Sequence, residues 1–351
     1  MLDVADVFCP PGADVLELHA PGGRHWHFPT NNPRVRWSSF GLYPAHRWRG
    51  RAYRSLLRGW LTLGGGGYTH QVVRKRTTGW PLGDLLLPDM PMLSTAAVYM
   101  GNPGPDRKIT VQLMDDSGNI LGYAKYADTD RPRSLIANEA RMLETIPEDV
   151  GPRLVRFSPF LQGELLVQTR LPGRTRMPRS ARLYEAHTRF LERLIQPGVT
   201  YSISEHPFVK SLYARAGVRR GILEEVVSAL GDSEWPVAFM HGDLSPANMH
   251  WWRGRYLAFD WEYGCQEGLA YLEAPHPLIE FASLIRGSAP QVAKRAISSS
   301  LTAHLLPSQY ARFAPEVATL AALNMLISWY PPRDPDAYES WLTAFVEADG
   351  S

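Results

Sequence analysis

Residues 239–264 read FMHGDLSPANMHWWRGRYLAFDWEYG. A His-Gly pair leads into Asp243, Asn248 follows five positions later, and an apolar run ends at Asp260, with Trp261 and Glu262 behind it. Two explanations compete for this stretch. It is a polar turn between buried strands, or it is a loop that gathers oxygen donors for chemistry. Phosphoryl transfer asks little covalent help of a protein; it asks for a positioned Mg²⁺, neutralised phosphate charge and an acceptor hydroxyl held in line. Magnesium prefers carboxylate and amide oxygens and takes one or two of them besides the phosphates. Asp243 is placed to accept or orient a hydroxyl proton, with Asn248 and Asp260 as metal-binding oxygens.

Working outward, the 351 residues are enough for two or three subdomains. Hydrophobic content of 44% and charged content of 21% are ordinary for a globular protein, and a net charge of +2 gives no reason to expect nucleic-acid binding. With only Cys9 and Cys265, a disulfide scaffold is excluded and a reducing compartment is the simpler expectation. No stretch reaches the roughly 20 apolar residues of a membrane span. The run VATLAALNMLISWY (317–330) is shorter and carries Asn324, so it reads as a buried helix. The amino terminus lacks the basic start of a secretory signal, and a cytoplasmic location is expected.

Residues 1–90 are the least legible and read as an N-terminal extension of unclear role. Within them Arg47, Arg51, Arg54 and Arg58 fall at helical spacing in segment 46–60. That stripe is either a solvated face or a surface for phosphate, anionic lipid or an acidic partner. The GGGG run at 64–67 lacks the Gly-Lys-Ser/Thr of a phosphate loop and reads as a linker.

From residue 91 to 170 the pattern is of strands around one helix. Strands are expected at 94–100, 108–115 and 120–127, a helix at 134–146, and a strand pair joined at Gly163. From 171 to 351 the chain reads as mostly helical, with helices at 180–195, 207–230, 290–305 and 310–330. An antiparallel sheet with one helix, then a helical part, is an α+β architecture.

The order Asp, four residues, Asn, then Asp at the end of an apolar strand is that of kinase catalytic loops. The wording His-Gly-Asp-Leu-x-Pro-x-Asn with Asp-Trp-Glu resembles the aminoglycoside phosphotransferase and choline kinase-like family. The resemblance rests on about 25 residues. It implies a two-lobed protein-kinase-like fold with a small nucleotide-binding lobe and a helical catalytic lobe. It also implies ATP and Mg²⁺ as cofactors, and a small-molecule hydroxyl as acceptor.

The resemblance further implies a strand lysine for the α/β-phosphates and a helix glutamate to orient it. The chain has five lysines, and Lys125 in GYAKYA lies inside an expected strand, whereas Lys108 opens one. Without the family, Lys125 is an edge-strand lysine that discourages aggregation. Helical phase puts Glu139 at the centre of the stripe formed by Leu135, Met142, Leu143 and Ile146. A carboxylate there asks for a cation unless it snorkels to the core's edge. Gly101 and Gly104 in GNPGPDR would let backbone approach the phosphates. The stretch from Gln168 to Arg170 would offer backbone groups to adenine. His241 is expected to support the loop's geometry.

Two departures stand out. Gly242 occupies the place where most protein kinases carry arginine. The family's Asp-Leu-Ala after the second motif is missing, and Glu280-Phe281-Ala282 is expected to stand in for it. Residues 261–285 hold four glutamates, 262, 267, 273 and 280, and no lysine or arginine before residue 286. Beside an acceptor site they would suit a cationic substrate such as an amino sugar or amino alcohol; otherwise they cap helices or face solvent, and the acceptor is a neutral sugar or polyol. Two other functions fit the residues: a protein or polymer kinase docking through its N-terminal extension, and a kinase-shaped module without catalysis.

Overall fold

The computed structural model describes residues 3–20, 23–30, 32–42, 55–56, 58–59, 72–101, 103–328 and 335–348. Arg47, Arg51 and Arg54 of the basic stripe and the GGGG run lie outside the described residues. The chain divides into two compact units, Met1–Glu144 with Pro152–Leu171, and Thr145–Gly151 with Pro172–Ser351. No described helix is long and apolar enough to cross a membrane.

The first unit is built on one antiparallel sheet. In chain order its elements are α1 (Val4–Phe8), β1 (Asp14–Ala20), β2 (Arg24–Pro29), α2 (Pro33–Ser39), β3 (Val72–Arg76), α3 (Pro81–Leu86), β4 (Thr95–Met100), β5 (Ile109–Met114), β6 (Ile120–Ala127), α4 (Asp130–Thr145), β7 (Leu154–Phe160) and β8 (Gly163–Thr169). The eight strands lie in the order β3-β1-β2-β4-β5-β6-β8-β7. Residues 1–90 thus contribute three strands to the same sheet, β2 pairing with β4 through His25–Met100, Trp26–Tyr99 and His27–Val98.

Alternation along each strand sends side chains to opposite faces. Val15, Val98, Val111, Leu113, Ala124 and Tyr126 enter one apolar cluster with Phe8, Leu82 and Leu86 from α1 and α3. Leu16, Leu18, Trp26, Phe28 and Ala97 enter a second, closed by Val35 of α2 and Phe40. The covering helices start where side chains satisfy their free N–H groups. Asp3 accepts from Ala5 N at 3.0 Å, and Asn32 accepts from Arg34 N at 2.8 Å.

The second unit comprises β9 (Arg174–Thr175), α5 (Ala181–Glu192), β10 (Ile195–Ser202), α6 (Pro207–Arg215), α7 (Arg220–Leu230), β11 (Glu234–Met240), β12 (Met249–Trp252), β13 (Arg255–Ala258), β14 (Cys265–Leu269), α8 (His276–Glu280), α9 (Pro290–Ser300), α10 (Ser308–Ala311), α11 (Ala314–Ser328) and α12 (Pro335–Glu347). It carries more strand than its sequence suggests, in two three-stranded sheets, β10-β11-β14 and β13-β12-β9. The single helix expected at 207–230 is two, because Gly217 takes φ +52° between them. The helix expected at 290–305 is α-helical to Ser300 and continues as a π-helical turn over Leu301–Leu305. Helix α11 is buried on nearly every side, Asn324 included, as its uninterrupted apolar sequence requires.

The expected α+β class is therefore what the chain adopts: a small antiparallel sheet unit, then a mainly helical one.

Candidate active site

In the first unit Lys125 sits on β6, between Thr110 of β5 and Leu166 of β8. It is an interior strand, so the edge-lysine explanation does not apply. Ala124 and Tyr126 occupy the apolar cluster, and Lys125 therefore projects from the other face. There its Nζ lies 2.5 Å from Glu139 Oε2 of α4. The lysine is 6% exposed and the glutamate 0%. Withdrawing two charges from water costs several kcal/mol per ion, which the pairing offsets only with close geometry.

The other nucleotide candidates of this unit are more dispersed. Gly101 and Gly104 lie in the turn between β4 and β5, Asn102 being outside the described residues. The turn is tethered at both sides: Arg131 Nη2 of α4 donates to Asp106 Oδ2 at 3.3 Å, and Arg107 donates to Gly23 O at 3.3 Å. Gln168 is buried, and Arg170 is exposed. Thr169 N–H is committed to Arg153 O at 2.9 Å and Arg170 N–H to Leu121 O at 3.2 Å. Both N–H groups are thus engaged within the first unit. What these residues retain is the second lone pair of their carbonyls.

The second unit carries the loop that opened the sequence argument. Asp243 and Asn248 meet: Asn248 Nδ2 donates to Asp243 Oδ2 at 3.1 Å and to Asp243 O at 3.0 Å. With both N–H groups directed at residue 243, Oδ1 is the oxygen Asn248 offers elsewhere. Phe259 N donates to Asn248 O at 3.1 Å, which ties the loop to the segment bearing Asp260. Asp260 has φ +71° and ψ +53°, a left-handed conformation that costs a non-glycine residue about 1–2 kcal/mol. Such strain persists where the surroundings impose it, often at functional sites.

His241 opens the loop. Its Nε2 donates to Phe259 O at 2.8 Å, its Nδ1 accepts from Asp243 N at 3.3 Å, and its ring packs on Trp261 at 4.7 Å. Both ring nitrogens are thus engaged within the unit. Gly242 takes φ +82°, and a Cβ there would overlap the Tyr263 carbonyl. Glu262 is buried in the short helical turn after Asp260.

The sequence reading missed Glu273. Its Oε2 accepts from His241 N at 2.7 Å and its Oε1 from Gly242 N at 2.8 Å. The carboxylate that grips the loop backbone is therefore Glu273, seven positions before Glu280. Burial pushes its carboxyl up to about 7, while the N–H groups of His241, Gly242 and Leu244 pull the other way. The signal was available: a glutamate inside LAYLEAPHPLI is buried by its neighbours and must find donors.

Glu280 instead stands beside Asp243. Donor atoms of Asp243, His276 and Glu280 lie within 4.8 Å of one another, and His276 Nε2 is 3.6 Å from Asp243 Oδ1. Burial lowers His276 to about 3, so the imidazole is neutral. Burial, then the charges of Glu280, Asp260 and Glu273, hold the Asp243 carboxyl well above the usual range; the Asn248 amide acts against them. Burial also raises Glu280 to about 7. Crowded carboxylates of this kind, with hard oxygen donors at Asn248 and Asp260, fit a divalent cation, which would reverse the local pKa shifts.

No family model and no curated protein sequence matches the chain. Solved structures do. An aminoglycoside phosphotransferase APH(4)-Ia, solved as a thermostable mutant with ADP and hygromycin B, is 10% identical; the match covers 77% of this chain and 99% of that one, with a TM-score of 0.46. A putative fructosamine-3-kinase from Haemophilus somnus 129PT is 12% identical over 76% of this chain and 97% of its own, with a TM-score of 0.41. An ethanolamine kinase from Plasmodium vivax is 10% identical over 86% and 88%, with a TM-score of 0.43.

Proposed function

We propose that the chain is an ATP- and Mg²⁺-dependent phosphotransferase that moves the γ-phosphoryl group to a hydroxyl of a small molecule. The observation that carries this reading is the buried Lys125–Glu139 pair, a fixed ammonium on an interior strand of the first unit. A lone structural role would be filled as well by two apolar side chains; a phosphate clamp needs the charge. Lys125 grips the α/β-phosphates and Glu139 keeps its rotamer. The loop with Gly101 and Gly104 covers the phosphates, and the Gln168–Arg170 stretch faces the base.

Asn248 and Asp260 hold the Mg²⁺, which, when bound, neutralises charge on the phosphates. Asp243 orients the acceptor hydroxyl and takes its proton as that oxygen bonds to phosphorus. The bond from the γ-phosphorus to the bridging oxygen breaks, and ADP leaves. His241 and Glu273 keep the loop in register, and Glu262 supports the turn behind Asp260. Glu280, close to Asp243, favours an acceptor that carries an amine near its hydroxyl, an amino sugar or amino alcohol rather than a neutral polyol. Free Cys9 and Cys265 suit a cytoplasmic enzyme with access to ATP.

The test is a panel of amino alcohols, amino sugars and sugars incubated with the protein, ATP and Mg²⁺, read by mass spectrometry. A gain of one phosphate on an acceptor, abolished by chelation, is the expected result. Absence of transfer to every acceptor, together with no nucleotide-induced rise in Tm, would overturn the reading.

A further inference from the structure

The β1–β2 hairpin carries a cluster that the phosphotransferase reading does not use. Glu17 and His19 are two residues apart on β1 and so share a face. The register pairs His19 with His25 of β2. Glu17 Oε1 lies 3.1 Å from His19 Nε2 and 3.9 Å from His25 Nδ1. The two imidazoles meet edge to face with centroids 4.2 Å apart, and one donor atom from each of the three residues lies within 4.8 Å of the others. A tetrahedral ion with nitrogen and oxygen ligands at about 2.0–2.1 Å sets neighbouring donors about 3.3 Å apart. The observed separations bracket that value.

We propose that Glu17, His19 and His25 form a binding site for a transition-metal dication, with Zn²⁺ as its chemical type. Two imidazoles and a carboxylate are the donor set of zinc rather than of magnesium, which takes oxygens. The ligands come from adjacent strands held in register by the sheet, so little ordering is needed on binding. His25 is held below its ordinary pKa, first by burial, then by His19 and Arg107, and neutral imidazole is the ligating form. The Arg107 charge works against a cation and moderates the affinity. Glu17 is 12% exposed and His19 41% at the side chain, so the ion has a path in and a fourth position open to water. Bound there, it joins β1 to β2 beside the turn that carries Gly101.

The experiment is calorimetric titration of chelator-treated, tag-free protein with ZnCl₂ in saturating Mg²⁺, which keeps oxygen-donor sites occupied. One Zn²⁺ per chain is expected, with a rise in Tm. His25→Ala and His19→Ala each lower the affinity at least about tenfold, the scale on which even indirect partners of a bound metal act. His304→Ala, at an exposed histidine of the second unit, leaves it unchanged. Circular dichroism confirms that each variant is folded. Equal Zn²⁺ binding by the folded His19→Ala/His25→Ala double variant, or no stoichiometric binding by the wild-type protein, overturns the proposal.

Discussion

Lys125 Nζ lies 2.5 Å from Glu139 Oε2, and both side chains are withdrawn from water. Removing one partner strands the other as a buried charge. Glu139→Ala and Lys125→Ala are each expected to cost about 3–5 kcal/mol in urea unfolding. Lys125→Met with Glu139→Leu is expected to regain most of that stability while nucleotide binding stays weak. Recovery of both would deny the pair any role in holding phosphates.

Asp243 accepts an amide N–H from Asn248 and sits among three other carboxylates. Asp243→Asn is expected to lower phosphoryl transfer by about 10²–10⁴ with nucleotide affinity nearly unchanged, the pattern of a positioned acid–base group. Steady-state kinetics with nucleotide titration reads both quantities. A parallel loss of ATP affinity would assign the aspartate to the metal instead.

Glu273 makes stability depend on pH. Burial raises its carboxyl from 4.5 to about 7, so between those values the folded chain binds more protons than the unfolded one. The contribution is therefore fullest below pH 4.5 and declines as pH rises towards about 7, by about 3 kcal/mol at most. Glu273→Gln is expected to flatten that slope. Its NH₂ also faces a backbone N–H of His241 or Gly242, which costs about 1–3 kcal/mol. Urea unfolding of both proteins from pH 4 to 8 decides; equal slopes would mean another group titrates.

Gly242 has neither a permitted L-residue conformation nor room for a Cβ beside Tyr263. Gly242→Ala is expected to destabilise by about 1–3 kcal/mol and to lower kcat more than it raises the KM for ATP, because the displaced loop carries Asp243. Arginine, the kinase residue at this place, is expected to be worse. A fully active Gly242→Ala enzyme would show that the loop has another conformation.

Much of this was written locally. The strand at 120–127 and the helix containing Glu139 follow from period-2 and period-3.6 patterns, and a scarce lysine in an apolar strand marks itself. The strands Ile195–Ser202 and Glu234–Met240 were illegible because each contains proline, and the first also glycine; such segments form strands only when partners far along the chain supply the ladder. Glu273 was illegible as a clamp for the same reason. Its donors lie 31 and 32 residues away, and its sequence announces a need for partners without naming them.

By itself, the sequence marked which residues carry charge into apolar surroundings, Lys125 and Glu139. It did so because burial is encoded by short periodic patterns. Only the tertiary structure decided which donor answers each buried acceptor, why position 242 admits glycine alone, and that Glu17, His19 and His25 share one point. Those depend on backbone brought together by strand register and loop closure, and no local pattern records such distances.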